Sequence, residues 1–169
     1  LLPDVVVVAS REHLEVPLIV ALEKLYDGRL PTWLKVMVAP KCISDRLDFY
    51  SGYSAALTSF GTSTLEMACV GMPFAACVVP DFFTYVTGKF LVKSEFLSLP
   101  NAIFGCGVTP EFIIRHKMNE RMAESIVEAL FQQDLGTVEE IAQRLRKSLN
   151  VGQTSSELMS EFLAQFVKS

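Results

Sequence analysis

The chain has 169 residues, 50% of them hydrophobic and 20% charged, with 19 acidic against 15 basic side chains and a formal net charge of -4. Intrinsic disorder, which needs low hydrophobicity and high charge, is excluded. The acidic balance also lacks the basic face that nucleic acid requires. The length suits one domain with its own core. The longest uncharged apolar stretch, Met67 to Pro80, is broken by Gly71 and Pro73 and falls short of the ~20 apolar residues of a membrane-crossing helix. Asp4, Arg11 and Glu12 flank the apolar run Val5 to Ala9, so nothing at the start reads as a signal peptide and a cytoplasmic protein is expected. The first residue is Leu1 rather than Met, which reads as a piece of a longer chain.

In chain order, strand and helix signals alternate. Val5–Ala9 is a continuous β-branched run, expected as a strand buried on both faces of a parallel sheet. Pro17 to Tyr26 carries helical residues and stops at the turn Asp27-Gly28. Leu34 to Val38 is a second strand, ended by Pro40. Asp45 to Tyr50 is a helical turn, and Ser54 to Thr58 a third strand. A helix from Thr64 to Val70 is capped by Gly71, and Phe74 to Val79 is a fourth strand. Phe83 to Val92 reads as a helix, Phe96 to Leu99 as a short strand because Pro100 disfavours helix before it, and Asn101 to Gly107 as a loop. Thr109-Pro110 opens a helix with Pro at its first position. Asn119 to Gln133 aligns Met122, Ile126 and Leu130. Thr137 with Glu140 forms a capping box ahead of Ile141, Leu145 and Leu149, and a last helix carries Leu158, Phe162 and Phe166. The sum is a single α/β domain over 1–169: a Rossmann-like parallel sheet with flanking helices, and a helical tail over 119–169.

The stretch with most chemical content is Ser59-Phe60-Gly61-Thr62-Ser63-Thr64-Leu65-Glu66, at the carboxyl end of a predicted parallel strand, where such folds bind ligands. Gly61 permits a tight turn. The three hydroxyls and the N–H groups of a helix start offer a phosphate site, and Glu66 can accept from ribose hydroxyls. The same residues equally describe an ordinary capped helix. No Gly-Lys-Ser/Thr follows, so this is not a P-loop. Asn101, read at a strand end, can bind a base, ribose or phosphate, or close a turn. Cys42, Cys69, Cys77 and Cys106 are irregularly spaced with no histidine at ligand spacing. They read as buried small hydrophobes in a reducing compartment, and no metal or cofactor is expected. His13 and His116 read as a surface and a helix-end residue. Phe82, Phe83, Tyr85, Phe90 and Leu91, edged by Lys89 and Lys93, read as sheet packing or as contact with acyl chains or a membrane surface.

The motifs Thr58-Ser59-Phe60-Gly61-Thr62-Ser63-Thr64-Leu65-Glu66, Gly71-Met72-Pro73, Leu91-Val92-Lys93, Leu97-Ser98-Leu99-Pro100-Asn101 and Pro110-Glu111, in this order, resemble the lipid A disaccharide synthase family in its carboxyl-terminal half. Ser10-Arg11 is similar to the turn that opens that half. Phe60 lies between Ser59 and Gly61 where the family has Ser next to the Gly, and Phe104-Gly105-Cys106 lacks the family's arginine.

The resemblance implies one half of a two-domain, GT-B-type glycosyltransferase. Such an enzyme transfers 2,3-diacylglucosamine from its UDP donor to 2,3-diacylglucosamine 1-phosphate and releases UDP. It implies that Arg11 lies near the donor diphosphate, that Ser59 and Gly61 to Thr64 cradle it, that Glu66 addresses the ribose and that Asn101 serves the donor pocket. The acceptor site and general base are expected in an absent amino-terminal half, so the isolated chain is expected to be inactive. The resemblance further implies work at the inner-membrane surface and a homodimer. Two alternatives stand beside it: another UDP-sugar enzyme such as an epimerase, and a non-catalytic interaction module with a decayed nucleotide site.

Overall fold

The computed structural model describes residues 5–79, 96–114 and 118–149. The predicted helices at Phe83 to Val92 and from Ser155 onward, with His116 and the Phe82–Lys93 segment, lie outside them. The chain divides into two compact units, Leu1–Arg46 and Leu47–Ser169.

In the first unit, β1 (Val5–Ala9) pairs in parallel with β2 (Leu34–Val38), Val5 opposite Leu34 and Ala9 opposite Val38. Between them runs α1 (Glu15–Leu25), a right-sized crossover for parallel strands. α1 ends where Asp27 (φ 54°) and Gly28 (φ 88°) turn left-handed and the Gly28 N–H donates to the Glu23 carbonyl at 2.8 Å. Trp33 sets its ring edge-on to Tyr26, centroids 5.8 Å apart. The expectation that β1 is buried on both faces fails: Ala9 is buried, but Val5 and Val8 are exposed. The β-branched run specifies a strand, but not the depth at which it lies.

α2 (Ile43–Ser51) begins in the first unit and ends in the second, where Phe49 and Tyr50 join the core. The second unit is a three-stranded parallel sheet of β3 (Ala56–Thr58), β4 (Phe74–Val78) and β5 (Glu111–Ile113), in that spatial order. β4 is central, and its period of two divides the core. Phe74 packs with Met67, Ala68, Met72 and Leu145 on one face, while Ala75 packs with Ile114, Ile126 and Leu130 on the other. The first face is covered by α3 (Thr62–Val70), α4 (Leu99–Phe104) and α6 (Leu135–Ser148), the second by α5 (Glu120–Phe131). The α/β class with parallel strands is thus as the sequence predicted, with the strands paired in two sheets.

α3 and α6 approach closely at Gly71. This residue caps α3 at φ 78°, and a Cβ there would stand 2.7 Å from Glu139 Oε2. Arg146 closes the contact, donating to the Cys69 carbonyl at 2.9 Å and to Glu139 at 2.7 Å.

Four expectations are corrected. Phe96–Leu99 is not a strand and 101–107 is not wholly loop. Ser98 is the extended N-cap of α4, and Pro100 lies in its first turn, where a missing N–H costs nothing. Thr109-Pro110 opens β5 rather than a helix: the Pro110 carbonyl accepts from the Ala76 N–H at 2.9 Å, and the Thr109 hydroxyl donates to the Phe74 carbonyl at 2.8 Å. α6 is capped not by Thr137 with Glu140 but by Asp134, whose carboxylate accepts from the Thr137 N–H and hydroxyl, each at 2.8 Å.

Those two bonds hold the Asp134 carboxyl below the usual aspartate range. A group depressed in the folded chain stabilises the fold above its unfolded pKa, and that contribution is lost as pH falls through the folded value. Asp134→Asn keeps the cap but removes the charge facing the helix dipole. Thermal unfolding should therefore show the wild type ahead of Asp134→Asn at neutral pH, with the gap closing below about pH 3.9, the ordinary Asp value. A gap independent of pH would contradict this account of the cap.

Candidate functional site

The register of the second sheet aligns Thr58, Ala76 and Glu111 in one row across β3, β4 and β5. Register partners in parallel strands project from the same face, here the face that carries α3 and α4. Each end of the row is fixed by side-chain hydrogen bonds, and α3 starts at one end while α4 starts at the other.

At the Thr58 end the chain leaves β3 through Ser59 and Phe60 and enters α3 through Gly61. Gly61 has φ 151° and ψ -163°, a conformation that belongs to glycine. A Cβ there would meet nothing within 4 Å, so backbone conformation rather than crowding demands the glycine, and the space before the helix is open. The helix begins at Thr62, two residues earlier than predicted, and no side chain caps it. The hydroxyls of Thr58 and Ser63 share a hydrogen bond of 2.9 Å. Thr64, fully buried, donates its hydroxyl to the Gly61 carbonyl at 2.6 Å. Ser59, Gly61 and Thr62 are exposed, and the Thr62 hydroxyl carries no hydrogen bond among the described residues. The early start puts Glu66 in the second turn rather than the first, and it is buried, 8% exposed.

At the other end, Glu111 gathers the chain that enters α4. Its Oε1 accepts from the Ser98 N–H at 2.8 Å, the Ser98 hydroxyl at 2.6 Å and Asn101 Nδ2 at 2.7 Å, and its Oε2 accepts from the Leu97 N–H at 3.0 Å. Asn101 is 2% exposed. Its Nδ2 also donates to the Thr109 carbonyl at 2.9 Å, and its Oδ1 accepts from the N–H groups of Val108 at 2.8 Å and Thr109 at 2.9 Å. An amide has two donor hydrogens and two acceptor lone pairs, and all four are used within the protein. Asn101 therefore stands inside a helix start, not at a strand end.

The structure thus brings Ser59, Gly61, Thr62, Ser63, Thr64 and Glu66 together, with Asn101 on the adjoining α4. Arg11 belongs to the first unit, exposed, as the N-cap of a short 3-10 turn over Glu12–Leu14. His13 is exposed, as expected. Sequence reasoning missed Thr58 as the tie to Ser63, and Ser98 with Glu111 as a cluster. These partners lie five and 13 residues apart, with no periodic signal linking them.

The cysteines divide, against the expectation that all are buried. Cys69 is buried and Cys77 half-buried, and burial pushes both thiols up. Cys42 and Cys106 are exposed, and hydrogen bonds with Ser44 draw the Cys42 thiol down. No group of three His, Cys, Asp or Glu among the described residues is placed to hold a metal. No helix among them is long and apolar enough to cross a membrane.

Fold and site define a parallel α/β protein with an uncapped, glycine-started helix at the carboxyl edge of its sheet. Comparison with known proteins specifies the family. The family model described as lipid-A-disaccharide synthetase matches residues 34–167. A lipid-A-disaccharide synthase of Nitrosococcus oceani is 33% identical over 129 residues, covering 73% of this chain and 33% of the relative. Another, of Rickettsia felis, is 27% identical over 125 residues, covering 74% and 32%. The chain belongs to the lipid-A-disaccharide synthetase family, and spans about a third of the length of these relatives. No solved structure matches.

The Asn101 network has a measurable consequence. Asn101→Ala strips the amide's bonds from the buried Thr109 N–H and carbonyl and removes a donor to Glu111, while the half-buried Val108 N–H keeps the Cys106 carbonyl at 3.0 Å. At about 1–3 kcal/mol for each buried group left unpaired, urea unfolding should show a loss of about 3 kcal/mol. An unchanged midpoint would mean that water replaces the amide without cost.

Proposed function

We propose that this chain carries the donor-nucleotide site of a lipid A disaccharide synthase. In the reaction, 2,3-diacylglucosamine passes from its UDP donor to 2,3-diacylglucosamine 1-phosphate, and UDP leaves. The observation that carries the reading is the open, uncapped start of α3 behind Gly61, at the carboxyl end of β3, in a member of this family. A departing diphosphate gathers negative charge, and free N–H groups at the positive end of a helix stabilise it without a metal.

In this proposal the Gly61–Thr64 turn seats the diphosphate. Thr62 offers a free hydroxyl, and Ser63, steadied by Thr58, and exposed Ser59 line the turn. Glu66 addresses the ribose. Asn101, with its amide fully engaged, fixes the neighbouring α4 rather than touching the nucleotide. Arg11, exposed in the first unit, is assigned to the donor diphosphate by the family resemblance alone. The general base and the acceptor site are assigned to sequence outside this chain, so the chain binds UDP without turnover. The acylated substrates would bring such an enzyme to the cytoplasmic surface of the inner membrane.

Calorimetric titration with UDP tests the reading. The 169-residue chain should bind, and Glu66→Ala should bind roughly 5- to 150-fold more weakly, the equivalent of about 1–3 kcal/mol for polar groups left unpaired. Absence of heat and of thermal stabilisation at millimolar UDP would count against the donor site. Equal affinity in the mutant would remove Glu66 from it.

A further inference from the structure

From the geometry we infer that Glu111 is a positioning residue for the nucleotide site: its carboxylate locks the start of α4 at a fixed place beside the start of α3. The inference rests on the nucleotide reading of α3. Glu111 is the first residue of β5, and an apolar side chain would serve that strand as well if packing were its task. Instead one half-buried carboxylate collects four donors from Leu97, Ser98 and Asn101, residues 10 to 14 positions away in sequence. Ser98 is fully buried, so the two bonds it donates are better shielded from competing water than the exposed one from the Leu97 N–H.

What the bonds hold in place is the point at which the chain reaches α4. That helix has six residues, too few to persist unaided, so its position depends on the anchor. α4 packs on α3, and its Phe104 reaches the cluster built on Met67 and Ala68 of α3. Glu111 also shares its sheet row with Thr58, two strands and about 10 Å away across the fully buried Ala76. Thr58 binds Ser63 in the turn that seats the diphosphate, while Glu111 binds the residues that start α4. One row of the sheet therefore registers the two helix starts against each other.

Glu111→Gln tests this. Its amide has one acceptor oxygen and places a donor where Oε1 or Oε2 met a donor, so bonds to the 97–101 segment are lost while shape is kept. The full 169-residue chain with Glu111→Gln should keep its far-UV circular dichroism, exchange the Leu97 and Ser98 amides faster, and bind UDP about tenfold more weakly. Ile126→Val, in the core on the opposite sheet face, should lower stability without changing UDP affinity. Should Glu111→Gln fail to fold, Ser98→Ala removes a single bond and should weaken UDP binding in the same direction. Wild-type affinity in folded Glu111→Gln, or an equal loss in Ile126→Val, would overturn the inference. A wild-type chain that binds no UDP would also overturn it, and would trace the failure to the nucleotide reading beneath it.

Discussion

Ala75 and Ala76, neither with exposed surface, point to opposite faces of β4 and set how closely the helices approach the sheet on each side. A larger side chain at either position would push a helical layer outward, and overpacking of that kind typically costs about 1–3 kcal/mol. Phe74 fills one face beside Leu145 and Met67, and Ile126 with Leu130 fills the other. Ala76 also leaves clearance on the α3–α4 face, where polar groups complete the layer beside the apolar cluster of Phe74. The row Thr58–Ala76–Glu111 is set by the backbone ladder, and the small residue at 76 leaves the space between the side chains at its two ends unfilled.

The polar groups on this face are closed against themselves with one exception. Asn101, Ser98, Thr109 and Glu111 satisfy one another, and among the described residues no buried side-chain polar atom lacks a partner. The start of α3 differs. Its cap is a glycine with no side chain to offer, and its first turn carries no acidic residue. Apart from the Thr64 N–H, which donates to the Gly61 carbonyl, a helix start left this way keeps N–H groups without an acceptor among the described residues, the requirement for an anionic ligand. The rigid cluster at Glu111 and the open turn at Gly61 are complementary: one supplies fixed geometry, the other unspent hydrogen-bonding capacity.

Much of this was legible in sequence. The runs at Val5–Ala9, Leu34–Val38 and Phe74–Val78, and the glycine that stops α3, carry period and punctuation strong enough to read locally. The turn 59–66 was legible as a strand-to-helix turn because a strand, a glycine, hydroxyls and a helix follow one another directly. β5 and α4 were not. Their three and six residues are too short for a period, and both are placed by contacts distant in sequence, from Phe74 to Thr109 and from Glu111 to Ser98. The proline rule misled at Leu99 because it is a local preference, outweighed by the bonds Glu111 makes to Leu97 and Ser98. The exposure of Cys42 and Cys106 was likewise beyond the sequence, since an apolar neighbourhood in the chain does not fix depth in the fold.

The central claim is that the Gly61–Thr64 turn seats a nucleoside diphosphate. It is tested most directly by amide chemical-shift mapping of the isotopically labelled chain against UDP, and against uridine as the ligand without phosphates. The amides of Gly61, Thr62 and Ser63 should shift progressively with UDP and stay in place with uridine, because the diphosphate accepts from them, whereas the Thr64 N–H already donates to the Gly61 carbonyl at 3.2 Å. Shifts of the same size with both ligands, or a UDP response that leaves these three amides unmoved, would contradict the claim.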